Sequence, residues 1–194
     1  MTNPRVNKES YVQEKGKLSL FIVMGVSGSG KSIVGQALAK QLHNDKEFIF
    51  IDADDFHSTE AKQHMAANLP LNDAMRKPWI AAISTKLKQL NNQNINVVLA
   101  YSGLKQHHRN CFRELEFNCH FFYLSADIEL IRTRMKQREN HFFSSQLLAS
   151  QFEAMEAIAS DEQDITKIDV NTSLENINKT ILTLAQQALT KDFQ

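Results

Sequence analysis

The run Gly25-Val26-Ser27-Gly28-Ser29-Gly30-Lys31-Ser32 places glycine, four free positions, glycine, lysine and serine in the order a phosphate-binding loop requires. Glycines let the backbone curl until successive N–H groups point at phosphate oxygens, and a helix opening at the end of the loop adds its positive end. In that pattern Gly25, Ser27, Gly28, Ser29 and Gly30 form the cradle. Lys31 reaches the β- and γ-phosphates, and the Ser32 hydroxyl ligates Mg²⁺. The expected ligand is ATP with Mg²⁺. The pattern names a nucleotide but not a reaction, since switch-type hydrolases and metabolic kinases share it.

Other residues could complete the chemistry. The apolar run ending at Ile51 leads into Asp52-Ala53-Asp54-Asp55, and ligands of open α/β sheets bind beyond the carboxyl ends of strands. Residues two apart in extended chain point the same way, so Asp52 and Asp54 are both expected to face the loop. One would serve Mg²⁺ and the other would take the proton of an attacking hydroxyl; the competing reading is a solvated acidic turn. The later strand ending Ala100-Tyr101-Ser102 has no carboxylate at its tip, which returns the metal role to Asp52 or Asp54. Arg134 and Arg138 share a helix face and would neutralise phosphate charge from a lid over ATP, unless they are simply a solvated basic face. Lys105 and Arg109 repeat the spacing and are candidates to hold an anionic substrate. His57, His64, His107, His108 and His141 show no metal-ligand spacing.

Positioning these groups requires a framework. Leu18–Met24, Phe48–Ile51, Asn96–Ala100, His120–Leu124 and Ile165–Val170 read as buried strands. Helical periodicity falls between them: 33–42, 58–92 with interruptions around Pro70 and Pro78, 105–116, 127–139 and 144–157. A last helix carries Ile177, Ile181, Leu184 and Ala188 on one stripe. Strands alternating with helices imply a parallel sheet covered on both faces, hence one α/β domain over 18–194 behind a loose polar arm, 1–17.

Composition narrows the partners. Lys plus Arg and Asp plus Glu both number 22, and that zero balance argues against a general nucleic-acid binder. Cys111 and Cys119 lack zinc spacing and read as reduced. The N-terminus has no apolar signal region and no run spans a bilayer, so a soluble, cytoplasmic protein is expected.

Taken in order, these motifs resemble those of gluconokinases. They are the loop, Asp52-Ala53-Asp54-Asp55-Phe56-His57, Pro70-Leu71-Asn72-Asp73, Arg76-Lys77-Pro78-Trp79, Ser102-Gly103-Leu104-Lys105, Arg109, Arg134, Arg138, His141-Phe142-Phe143 and Ser150-Gln151-Phe152-Glu153. The resemblance covers roughly residues 18–190. It implies a P-loop NTPase fold of the nucleoside-monophosphate-kinase type, an α/β/α sandwich with a five-stranded parallel sheet and a helical lid at about 127–157. It implies phosphorylation of the 6-hydroxyl of D-gluconate by ATP, and a homodimer. On that resemblance Lys31, Asp54 and Arg134 are catalytic, Ser32 and Asp52 hold the metal, and Arg134 and Arg138 meet the nucleotide. Asp54, His57, Arg76, Lys105 and Arg109 line the acceptor pocket.

Departures from the family pattern cluster in the acceptor segment. Ser58, Ala61, His64, Asn68 and Met75 stand where Pro, Asn, Lys, Gly and Asp are usual; Tyr101 and Gly103 replace Cys and Ala, Asn140 a Gly, and Ala157-Ile158 a Glu-Pro. Asn68 can adopt the left-handed conformation, whereas Ala61 and Met75 remove polar groups from a segment expected to recognise hydroxyls. A same-fold kinase of another small sugar acid or polyol, or a nucleotide-binding protein with weak or no turnover, are therefore the alternatives.

Overall fold

The computed structural model describes residues 16–43, 47–136 and 145–191. Arg138, Asn140, the His141-Phe142-Phe143 motif and nearly all of the expected arm lie outside the described residues.

Five strands form one sheet: β1 (Leu18–Met24), β2 (Phe48–Asp52), β3 (Asn96–Tyr101), β4 (Phe117–Ser125) and β5 (Ile165–Asp169). Their order is β2-β3-β1-β4-β5, and every pairing is parallel. The helices are α1 (Lys31–Leu42), α2 (Thr59–Ala66), α3 (Asp73–Asn92), α4 (Gln106–Arg113), α5 (Ile128–Lys136), α6 (Ser145–Ala154) and α7 (Leu174–Lys191). β1 is central and buried on both faces, and its alternation builds two cores. Leu20, Ile22 and Met24 pack with Trp79, Ile80, Ile83, Leu87 and Leu90 of α3 and Phe112 of α4. Phe21 and Val23 pack with Val34, Leu38 and Leu42 of α1 and with Ile177, Ile181 and Ala185 of α7. The result is the three-layer α/β/α sandwich expected from the alternation of elements.

A third, smaller cluster, Val26, Leu104, Ile131 and Leu148, seats α5 and α6 on the carboxyl end of the sheet beside the phosphate loop.

The expected helix over 58–92 divides only once. It breaks between α2 and α3 around Pro70, with Ser58 and Asn72 as caps accepting from Ala61 N and Met75 N. Pro78 lies inside α3 without ending it. The proline forfeits one hydrogen bond near the helix start, and five buried large side chains downstream, each worth about 1.5–3 kcal/mol, hold the helix to the sheet.

Among the described residues no helix is long and apolar enough to cross a membrane.

Candidate active site

The loop between β1 and α1 has positive φ at Gly25, Gly28 and Gly30 (147°, 83° and 102°). At Gly25 a Cβ would lie 2.8 Å from the Leu124 carbonyl and 2.9 Å from Ser29 Oγ, so only glycine lets the loop close on β4. Ser29 Oγ is buried and has no hydrogen-bond partner among the described residues, a polar atom left over inside the loop as a bound phosphate would require. Lys31 Nζ donates to the Val26 carbonyl at 3.1 Å. Ser32 Oγ donates to Asp52 Oδ2 at 2.5 Å, which sets a hydroxyl and a carboxylate side by side. That donor pair suits Mg²⁺, a hard cation that takes oxygen ligands.

Asp52 and Asp54 meet the loop at different places rather than side by side. The strand ends at Asp52, and Ala53–Phe56 form a 3₁₀ turn capped by Asp52 through Asp54 N–H. The period-two alternation therefore stops at Asp52. Asp52 meets Ser32, while Asp54 swings onto a cleft with its side chain 79% exposed.

This cleft, about 400 Å³, is walled by the loop (Ser27, Lys31), by Asp54 and His57, by α2 and α3 (Lys62, Arg76, Trp79), and by Ser150 and Gln151 of α6. His57 stacks on Trp79 with ring centroids 4.2 Å apart, and Trp79 is fixed by its Nε1–H donating to the Ala53 carbonyl at 2.7 Å. His57 Nε2 lies 3.7 Å from Asp54 Oδ1, and its buried Nδ1 has no partner among the described residues. Burial pushes the His57 imidazole below its ordinary pKa; Asp54 opposes this, and Lys62 and Arg76 add to it. His57 is thus a neutral ring able to donate and accept.

Arg76 lines the cleft and is tethered at 3.1 Å to Asp73. Lys105 reaches the same carboxylate at 2.8 Å and is not among the residues lining this cleft. The Lys105 hydrogen bond, followed by Arg76 and opposed by burial, holds the Asp73 carboxyl below its usual range. Folding also brings Asp73, His107 and His108 within 4.8 Å of one another, a proximity invisible in linear spacing. Both Asp73 oxygens already accept from Lys105, which leaves a cation poorly served there.

Arg109 corrects an expectation. It does not line the acceptor pocket: its side chain is 0% exposed, with Nε and Nη2 on the Glu162 carboxylate at 2.7 and 2.6 Å and Nη1 on the Gly103 carbonyl at 2.8 Å. Arg109 turns inward to Glu162, whereas Lys105, at the cap of α4, reaches outward to Asp73.

A second cleft of about 350 Å³ opens across the loop, lined by Gly28, Ser29, Gly30, Ile33, Val34, Arg134, Leu174 and Ile177. Arg134 is steadied by Nη2 donating to the Val170 carbonyl at 2.6 Å. The loop thus separates two clefts, with Arg134 in one and Asp54, His57 and Arg76 in the other.

Sequence reasoning missed Lys62, Trp79, Ser102, Ser150 and Gln151 as cleft residues, although all but Lys62 sit in motifs it had noted. Ala61 is buried, 3% exposed, and neither it nor Met75 lines the cleft. Asn68 has φ 63°, the left-handed conformation expected of it. At Gly103 a Cβ would come within 2.5 Å of Met24 Sδ, so glycine and Met24 are matched.

Comparison with known proteins bears on the fold and the family. A family model described as an AAA domain matches residues 20–162. The thermoresistant gluconokinase of Escherichia coli K12 is 38% identical over 158 residues, covering 81% of this chain and 88% of the relative. A crystal structure of a gluconokinase from Sinorhizobium meliloti 1021 superposes with TM-score 0.79 at 34% identity, covering 93% of this chain and 99% of the other. A sugar kinase from Janibacter sp. HTCC2649 superposes with TM-score 0.78 at 31% identity, covering 87% and 95%.

Proposed function

The chain belongs to the gluconokinase family, and from that premise we propose that it transfers the terminal phosphoryl group of ATP to the 6-hydroxyl of D-gluconate. The observation that carries the reading is the pair of clefts meeting at one phosphate loop. A nucleotide on one side and an acceptor on the other would present their reacting atoms to each other across Ser27 and Lys31.

In this reading the loop N–H groups and Lys31 cradle the phosphates, and Arg134 offsets charge from the second cleft, with Arg138 assigned the same task. Ser32 and Asp52 would hold Mg²⁺, which would supply positive charge to the phosphate oxygens. Asp54, exposed to the acceptor cleft, accepts the hydroxyl proton. Neutral His57 stands beside it to orient the acceptor, and Arg76, aimed by Asp73, pairs with the gluconate carboxylate. Catalysis is then positioning plus electrostatics, as phosphoryl transfer generally requires. A cytoplasmic homodimer is the working state, checked by light scattering on the purified chain.

The test is ADP release from ATP-Mg with and without D-gluconate, beside other sugar acids and polyols and a Lys31→Ala control. Gluconate-dependent turnover at about 1–10³ s⁻¹, lost in the control, is expected. ATP binding without stimulation by gluconate would overturn the assignment, and stimulation by another acid or polyol would replace the substrate.

A further inference from the structure

One contact joins α6 to the phosphate loop. Ser27 N–H donates to Gln151 Oε1 at 2.6 Å, across 124 residues of chain. The contact is built by packing: Leu148 is 0% and Leu147 4% exposed, and Leu148 packs with Val26, Leu104 and Ile131. At helical spacing this turns Leu147, Ser150 and Gln151 toward the acceptor cleft, and all three line it. Ser27 also lines that cleft, whereas Gly28, Ser29 and Gly30 line the other. Ser27 N–H therefore marks the seam between the clefts, and a carboxamide oxygen occupies it.

We infer that Gln151 is a further catalytic residue, contacting the phosphoryl group in transit; this rests on the kinase reading above. A phosphate oxygen arriving at the seam competes with the Gln151 carbonyl for the same N–H, and a charged acceptor makes the stronger hydrogen bond. A carboxamide carries donors opposite its acceptor. Once displaced, it rotates about its terminal bond and presents Nε2–H to the phosphoryl oxygens. Gln151 takes and gives no proton. The bond from phosphorus to the acceptor oxygen forms, the bond to the ADP oxygen breaks, and the hydroxyl proton passes to Asp54. The amide supplies a neutral donor where negative charge spreads, and removing one such donor costs about a hundredfold or more in turnover.

The test uses the full chain with Gln151→Met and Gln151→Glu, a non-hydrolysable ATP analogue with Mg²⁺ measured by calorimetry, and steady-state kinetics with D-gluconate. Methionine keeps bulk but has no competing carbonyl. The Met variant should bind the analogue as tightly as wild type or several-fold more tightly, while kcat falls about a hundredfold. Glutamate, an acceptor without donors, should weaken analogue binding and lower kcat together. Weaker analogue binding by the Met variant would overturn the proposal by showing that Gln151 only props the loop. An unchanged kcat in that variant would also overturn it. If wild type ignores gluconate, the gluconate assignment falls alone: kcat is then read with whichever sugar acid or polyol of the panel stimulates ADP release, and weaker analogue binding or an unchanged kcat in the Met variant still overturns the Gln151 role.

Discussion

Arg109 and Glu162 form a two-pronged ion pair in the dry interior, Nε to Oε1 at 2.7 Å and Nη2 to Oε2 at 2.6 Å. The pair ties α4 to the segment between α6 and β5. Its third prong, on the Gly103 carbonyl, fixes the turn beside Ser102, whose own carbonyl accepts from Gly25 N–H at the start of the phosphate loop.

Removing Arg109 leaves the buried Glu162 carboxylate with only Arg113, at 3.0 Å, and the Ala159 N–H, at 3.1 Å, among the described residues. Arg109→Ala is expected to lower unfolding free energy by about 3–5 kcal/mol, read by urea denaturation. Arg109→Met combined with Glu162→Leu should recover much of that loss, because a well-packed apolar pair can match a buried ion pair. A single variant as stable as wild type would mean that Arg113 alone suffices to hold Glu162.

Acid should destabilise the protein in two stages. Burial, with His107 and Arg76 adding and Asp73 opposing, pushes His108 down to about 4. Between there and the unfolded value of about 6.5, the unfolded chain binds a proton that the folded one does not, so stability is lost as pH falls through that window. Burial alone would raise Glu162, yet Arg109, the Ala159 N–H and Arg113 hold it down at about 2. Its contribution is complete above the unfolded value of 4.5 and disappears as pH falls toward 2. Melting temperatures at pH 7, 5 and 3 should show His108→Asn flattening the upper stage and Glu162→Gln the lower one.

The features legible in the sequence were local ones. A phosphate loop is a contiguous pattern, and buried parallel strands are short apolar runs, so both could be placed within a residue or two, except that β4 begins at Phe117, three residues before the expected His120. Whatever depended on a distant partner could not. Lys105 and Arg109 share a helical spacing, but the face they show is decided by Asp73 and Glu162, far off in the chain. Asp52 and Asp54 were given a strand's alternation, which the 3₁₀ turn at Ala53–Phe56 removes. Lys62 carried no signal at all, and Gln151 only that of a motif without a role.

The division of labour between those two aspartates is open to experiment. With Ser32 Oγ on Asp52 Oδ2, Asp52→Asn should raise the Mg²⁺ concentration for half-maximal activity by about 10–100-fold. Asp54→Asn should leave the Mg²⁺ requirement near wild type and lower kcat by about 10²–10⁴. The opposite pattern in a Mg²⁺ titration of both variants would exchange the two roles.

The acceptor pocket supplies the last prediction, because sequence and structure weigh its residues differently. By family pattern Met75 is a serious loss, since aspartate is usual there. In the structure Met75 is half-buried in the first turn of α3, its N–H bonded to Asn72 Oδ1 at 2.9 Å, and its side chain is absent from the cleft wall. Arg76, the next residue, is on that wall and held by Asp73. Met75→Asp should therefore change KM for gluconate by no more than about 2–3-fold, as surface substitutions away from a site usually do. Arg76→Ala removes a charged hydrogen bond worth about 1.5–3 kcal/mol and should raise KM by roughly 10–150-fold. A large gain in gluconate affinity from Met75→Asp would mean that the helix start reaches the substrate after all, and that the family aspartate acts by direct contact.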